Sequence, residues 1–151
     1  GLKMKRLVCL LMIGMFMICG CAQKVEEKKA VCRITNEGIS DEMTIEALND
    51  TVMTSKSVMK LPFSLYGLTT DDEKAQFAEQ MMAEFTEVDG IKITSESTND
   101  EFILTLEVDY SVVAFESLLQ LGMMSESDMD VEIISFEKTV EGLKTSGYTC
   151  E

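Results

Sequence analysis

The sequence predicts an α+β domain: an antiparallel sheet of about five strands, in two hairpin or meander blocks, with about three helices packed on one face. Three observations carry that expectation. Short β-branched runs lie between Asn, Asp and Gly turns, and an apolar period of 3.6 residues appears in three places. The strands also follow one another through hairpins, without the βαβ alternation that a parallel sheet requires.

Taken in order, Val31 to Thr35 is rich in strand formers and ends at the turn Asn36-Glu37-Gly38. Met43 to Leu48 follows, then Asn49-Asp50, then Thr51 to Met59, which together read as a three-stranded meander. Pro62 and Gly67 punctuate its exit. Thr70-Asp71-Asp72-Glu73 is a capping box, with negative charge at the positive end of the helix that it opens. Behind it Phe77, Ala78, Met81, Met82, Phe85 and Val88 share one helical face, and Asp89-Gly90 ends the run. At this spacing the methionines read as core, not as a soft metal site.

A second hairpin pairs Ile91 and Ile93 with Phe102, Leu104, Leu106 and Val108 across the turn Thr98-Asn99-Asp100. Val112, Phe115, Leu118 and Leu119 restore the helical period up to Gly122. The last helix starts at the N-cap Ser135, carries Phe136, Val140 and Leu143, and stops at Gly147. The face of Phe77, Met81 and Phe85 is expected to bury against the sheet with Phe102, Leu104, Leu106 and Leu143.

The first residues speak of location. Lys3, Lys5 and Arg6 precede an uncharged run from Leu7 to Ile18, and Ile18-Cys19-Gly20-Cys21 closes it. This is the arrangement of a secretory signal ending in a lipobox. An apolar helix of about 12 residues spans only ~18 Å against a hydrocarbon core of ~30 Å, too short for a transmembrane span. The resemblance to bacterial lipoprotein signals implies that Cys21 receives a diacylglycerol and becomes the first mature residue. Residues 1–20 are then the signal peptide, 21–29 the lipidated cysteine and a tether, and 30–151 one domain. The expected place is the outer face of the bacterial cell membrane, or the outer membrane in a Gram-negative source.

Processing removes three of the 13 basic residues and none of the 27 acidic ones, leaving 10 against 27. So acidic a body is unsuited to nucleic acid, because neutralising phosphates takes clustered Lys and Arg. Anionic headgroups repel it too, so the acyl chains on Cys21 are its expected hold on the membrane. The chain has no histidine, which excludes Ser-His-Asp and Cys-His catalysis and histidine-ligated zinc. Carboxylate-only chemistry survives that test. The sequence calls for no cofactor.

Several segments resemble the YehR-like bacterial lipoproteins, a family whose domain has no established function. They are Val31-Cys32, the Thr44-Ile45 strand leading to Asn49-Asp50, Val108-Asp109-Tyr110, and most specifically the run from Ile134 through Ser135-Phe136-Glu137 to Gly147-Tyr148-Thr149-Cys150. The resemblance implies an α+β fold at the cell surface and brings no catalytic residues.

Of five cysteines, Cys9 and Cys19 leave with the signal and Cys21 is lipidated, so Cys32 and Cys150 remain near opposite ends of the domain. In an oxidising compartment they read as a structural disulfide. Two free thiols are the alternative. A redox pair would need a nearby base or a Cys-x-x-Cys spacing, and neither is present. Glu126, Asp128, Asp130 and Glu132 alternate before the last helix and are weak candidate Ca²⁺ ligands. They lack the glycine and spacing of an EF-hand, so a solvated acidic loop is the simpler reading. Asp109 is expected to cap the following helix and Tyr110 to pack on the core. The leading functional expectation is a non-enzymatic surface module that binds a protein or peptide or supports the envelope. A small-ligand or divalent-cation module comes second, and a carboxylate-based envelope hydrolase last.

Overall fold

The computed structural model describes residues 24–121 and 134–151. Its elements are β1 (Glu27–Asn36), β2 (Ile39–Leu48), β3 (Thr51–Pro62), α1 (Asp71–Ala83), β4 (Ile91–Ser97), β5 (Glu101–Asp109), α2 (Phe115–Gln120), α3 (Phe136–Thr145) and β6 (Thr149–Cys150). The sheet is antiparallel throughout, in the order β4-β5-β3-β2-β1-β6. It has six strands against the five expected. The sixth is the short piece after Gly147, which pairs with the outer edge of β1. A two-residue strand has no period for a sequence to display.

Side chains alternate across the pleat, and the register shows which face each residue takes. Cys32, Met43, Ser57, Leu106 and Ile93 form one row on the face that the helices cover. That face holds two apolar clusters. Leu61, Phe63 and Phe102 are buried beneath Phe77, Ala78, Met81 and Met82 of α1, and Val108, Val113 and Leu118 are buried with Phe115 around α2. α3 lies over β1, β2 and β6. A bulge at Met53 shifts the β2–β3 register between Glu46 and Ala47, which brings Val52 inward opposite Ala47.

Four local expectations need correction. β1 begins at Glu27, inside the segment read as tether, because Lys28 and Lys29 pair with Ala47 and Glu46 despite their poor strand composition. α1 ends at Ala83, so Phe85 lies past its end, half-buried and outside the core cluster. The chain must already turn there: Val88 bridges Ile91 around Gly90, whose φ is +86°. A Cβ on Gly90 would lie 2.6 Å from the Val113 nitrogen, so this turn leaves no room for any other residue. Val113, not Val112, enters the second cluster, and Val112 is exposed. Leu106 packs with that second cluster, and Leu143 belongs to neither.

Candidate functional site

The helices of the described residues all lie on one side, and none of those residues covers the other face of the sheet. Along it Lys29, Glu46, Thr54 and Asp109 form one row, and Val31, Thr44, Lys56, Glu107 and Lys92 the next. Then come Arg33, Glu42, Val58, Thr105 and Thr94, followed by Thr35, Ser40, Lys60, Ile103 and Glu96. Five of the 13 basic residues, Lys29, Arg33, Lys56, Lys60 and Lys92, are thus on this face. They nearly balance its carboxylates, whereas the remaining surface is strongly acidic.

A groove of about 670 Å³ crosses the first two rows, between Lys29, Lys56 and Lys92 and beside Glu46, Glu107 and Asp109. Lys29 Nζ lies 3.9 Å from Glu46, and Arg33 reaches Glu42 at 2.8 Å and Glu151 at 3.5 Å. The hydrogen bond and charge of Glu42, with a smaller contribution from Glu151, raise the Arg33 pKa further. Lys56 and Lys92 flank Glu107 in register yet form no ion pair with it, so among the described residues both ammonium groups stay available.

On the covered face lies the one buried charged residue among those described, Asp41, at 8 % exposure. Its Oδ1 accepts a hydrogen bond from Ser57 Oγ at 2.6 Å, and its Oδ2 accepts one from Tyr148 Oη at 2.6 Å. Both carboxylate oxygens are therefore satisfied, which is what allows the charge to be buried. The end of α3 delivers the tyrosine: the Gly147 N–H donates to the Lys144 carbonyl and the Tyr148 N–H to that of Leu143, closing a Schellman motif with Gly147 at φ +104°. The chain then runs directly into β6. There Cys150 is opposite Cys32 and bonded to it, with Cα atoms 4.0 Å apart. Val31 and Glu151 exchange two backbone hydrogen bonds beside the bridge.

Burial first, and then the Asp41 carboxylate, push the Tyr148 pKa up to about 12. An unfolded tyrosine ionises near ~10. The contribution of this group to stability is thus complete below pH ~10 and falls as pH rises toward ~12, because the unfolded chain loses its proton first. Tyr148→Phe should flatten that decline in a pH series of melting temperatures. It should also cost about 1–3 kcal/mol at neutral pH by leaving Asp41 Oδ2 without a donor. A decline that persists unchanged in the variant would assign the alkaline loss to other groups.

The remaining carboxylates near strand ends serve turns and caps. Asp50 accepts hydrogen bonds from Ser135 Oγ at 2.6 Å and the Glu137 N–H at 2.9 Å, and both hold its pKa below the usual carboxylate range. Ser135 in turn accepts from the Lys138 N–H, as its N-cap role requires. Asp109 does not cap α2, whose N-cap is Ala114; it accepts from the backbone and hydroxyl of Ser111 instead. Tyr110 packs in the second cluster, its hydroxyl 3.1 Å from Ser55 Oγ. Cys21 and the candidate ligands Glu126, Asp128, Asp130 and Glu132 lie outside the described residues. Sequence reading missed Asp41. Its signal was phase: Asp41 falls in step with Ile39, Met43 and Ile45, at an inward position of β2.

A model of the family described as "Protein of unknown function (DUF1307)" matches residues 31–149. The uncharacterized lipoprotein Lin0239 of Listeria innocua is 28 % identical over 148 residues, covering 97 % of this chain and 95 % of that protein. The uncharacterized lipoprotein Lmo0207 of Listeria monocytogenes is 25 % identical over 147 residues, with the same coverage of 97 % and 95 %. The NMR structure of the E. coli YehR protein superposes with a TM-score of 0.70 at 19 % identity, over 85 % of this chain and 93 % of that one. That of a protein from Streptococcus pneumoniae TIGR4 gives 0.57 at 16 % identity, over 86 % and 87 %.

Proposed function

Because this chain belongs to the DUF1307 family of YehR-like lipoprotein domains, we propose that it is a lipid-anchored, non-enzymatic module of the cell envelope that binds an extended peptide or protein segment on its open sheet face. The observation that carries the reading is the groove across that face, with its available lysines and hydroxyls on an otherwise acidic domain. The lipoprotein relatives support the anchor, and the lipobox assigns it to Cys21. β1 starts only six residues after Cys21, which keeps the sheet close to the lipid surface.

The groove volume also suits a small molecule, whose sites run to about 300–1,000 Å³. Such sites are mostly enclosed, however. An open groove that runs across strands, with Thr44, Thr54 and three lysines along it, suits an extended chain better. The test places a photo-cross-linking residue at Thr44 in the groove and, separately, at Glu79 on the outer side of α1, in cells. One discrete adduct should form from Thr44 and not from Glu79, and Lys56→Glu should reduce it severalfold. Equal labelling at both positions would rule out the face as the site. Fatty-acid labelling that survives Cys21→Ala would rule out the anchor.

A further inference from the structure

The two edges of the sheet are treated differently. β6, the Cys32–Cys150 bond and the Val31–Glu151 hydrogen bonds close part of the β1 edge. β4 lies at the other end of the sheet; among the described residues it pairs along its length with β5, and its outer edge is met at Ile91 alone, by the bridge to Val88. We infer that β4 is a self-association edge, where a second copy of this chain adds its own β4 antiparallel about a two-fold axis through Thr94.

Asp109 donates its N–H to the carbonyl of Gly90, directly opposite it at 2.7 Å, so these two residues form a hydrogen-bonded pair. Alternation then turns the polar backbone groups of Lys92, Thr94 and Glu96 toward β5, and those of Ile93, Ser95 and Ser97 outward. Ile91 fits this phase, since its N–H points away from β5 to the Val88 carbonyl. A two-fold at Thr94 pairs the outward groups of Ile93 with those of Ser95 in the other copy, so every exposed donor there meets an acceptor. The Ile91 N–H is already taken by the Val88 carbonyl, so the pairing runs over the five residues Lys92 to Glu96, and Thr94 is their centre.

Charge selects the same arrangement. Lys92 and Glu96 lie two residues either side of Thr94, both exposed and both on the open face. The two-fold places Lys92 of each copy opposite Glu96 of the other, twice over. These fall at non-hydrogen-bonded positions, where facing side chains come closest. Charged residues on an edge strand ordinarily discourage pairing with foreign strands. Here they also distinguish a correctly registered copy from any other strand, as an isologous contact requires. The axis stands normal to the sheet, so two open faces join on one side of a continuous sheet.

The test uses the full chain in its membrane. Thr94→Cys should give a disulfide-linked dimer on a non-reducing gel, since facing Cα atoms at such a pair lie about 4.5 Å apart, within bonding range. Adding Lys92→Glu should lower the dimer fraction at least tenfold by setting like charges opposite each other. Adding Glu96→Lys as well should restore it. Sedimentation equilibrium of the unmodified chain in detergent should show the same dimer without cross-linking. Three results would overturn the inference: a monomer in that measurement with no self-cross-link from Thr94→Cys, an adduct with a different protein at that position, or a dimer indifferent to both charge changes. The Thr44 cross-link above does not depend on this edge, so either reading can fail alone.

Discussion

Replacing Cys150 with serine should cost the domain about 4–5 kcal/mol, the largest loss expected from any single bond in it. The bridge joins residues separated by 118 positions, so its removal frees most of the domain in the unfolded ensemble. β6 itself is short: only Cys32–Cys150 and Arg33–Thr149 pair there, with the two Val31–Glu151 hydrogen bonds, the Tyr148–Asp41 hydrogen bond and the Arg33–Glu151 ion pair beside them. The midpoint of urea unfolding should fall with the slope little changed, and the Val31 amide should lose its protection from hydrogen exchange. Serine at position 150 is the suitable variant because Cys150 is half-buried, whereas Cys32 is fully buried and a hydroxyl there would add a penalty of its own. A midpoint within error of the parent chain would show that the helical layer alone keeps the C-terminus down.

Phe102→Ala should cost about 3–5 kcal/mol. The side chain is 0 % exposed and occupies the middle of the first cluster. Its ring meets Phe77 edge-on at 5.6 Å, and Phe77 in turn meets Phe63 at 6.2 Å and Tyr66 at 4.8 Å. Truncation leaves a cavity beneath α1, where Phe77, Ala78, Met81 and Met82 meet the sheet, and it removes a partner of Phe77. Phe85→Ala provides the comparison. That residue lies past the end of α1 and outside the cluster, so its loss should be much smaller. Equal losses at the two positions would mean that the helix continues inward beyond Ala83.

How far the sequence could be read depended on the kind of signal each part of the chain carries. The meander, the second hairpin, the capping box at Thr70 and the N-cap at Ser135 are local: each needs only neighbouring residues, and each stands where its pattern lies. The misplaced pieces depend on distant partners. α1 stops early because of the Gly90 turn packed against Val113, not because its own apolar period fails. β1 starts early because β2 offers Ala47 and Glu46 as partners. The open face was illegible for a similar reason. Lys29, Lys56 and Lys92 are far apart in sequence, and only the strand order brings them around one groove. Asp41 could have been found from its phase within β2, had that strand been extended back to Ile39.

The bridge between β1 and β6 also decides how the domain carries load. A pull applied at the two ends of the chain enters β1, crosses the sulfurs from Cys32 to Cys150 and leaves at Glu151. The 118-residue path through sheet and helices is bypassed, so tension between the ends can peel away only the few residues ahead of Cys32. The oxidised domain is therefore a nearly inextensible link: such a force takes only Lys29 and Val31 from the open face and leaves β2, β3, β5 and β4 paired, where it would unravel the reduced chain.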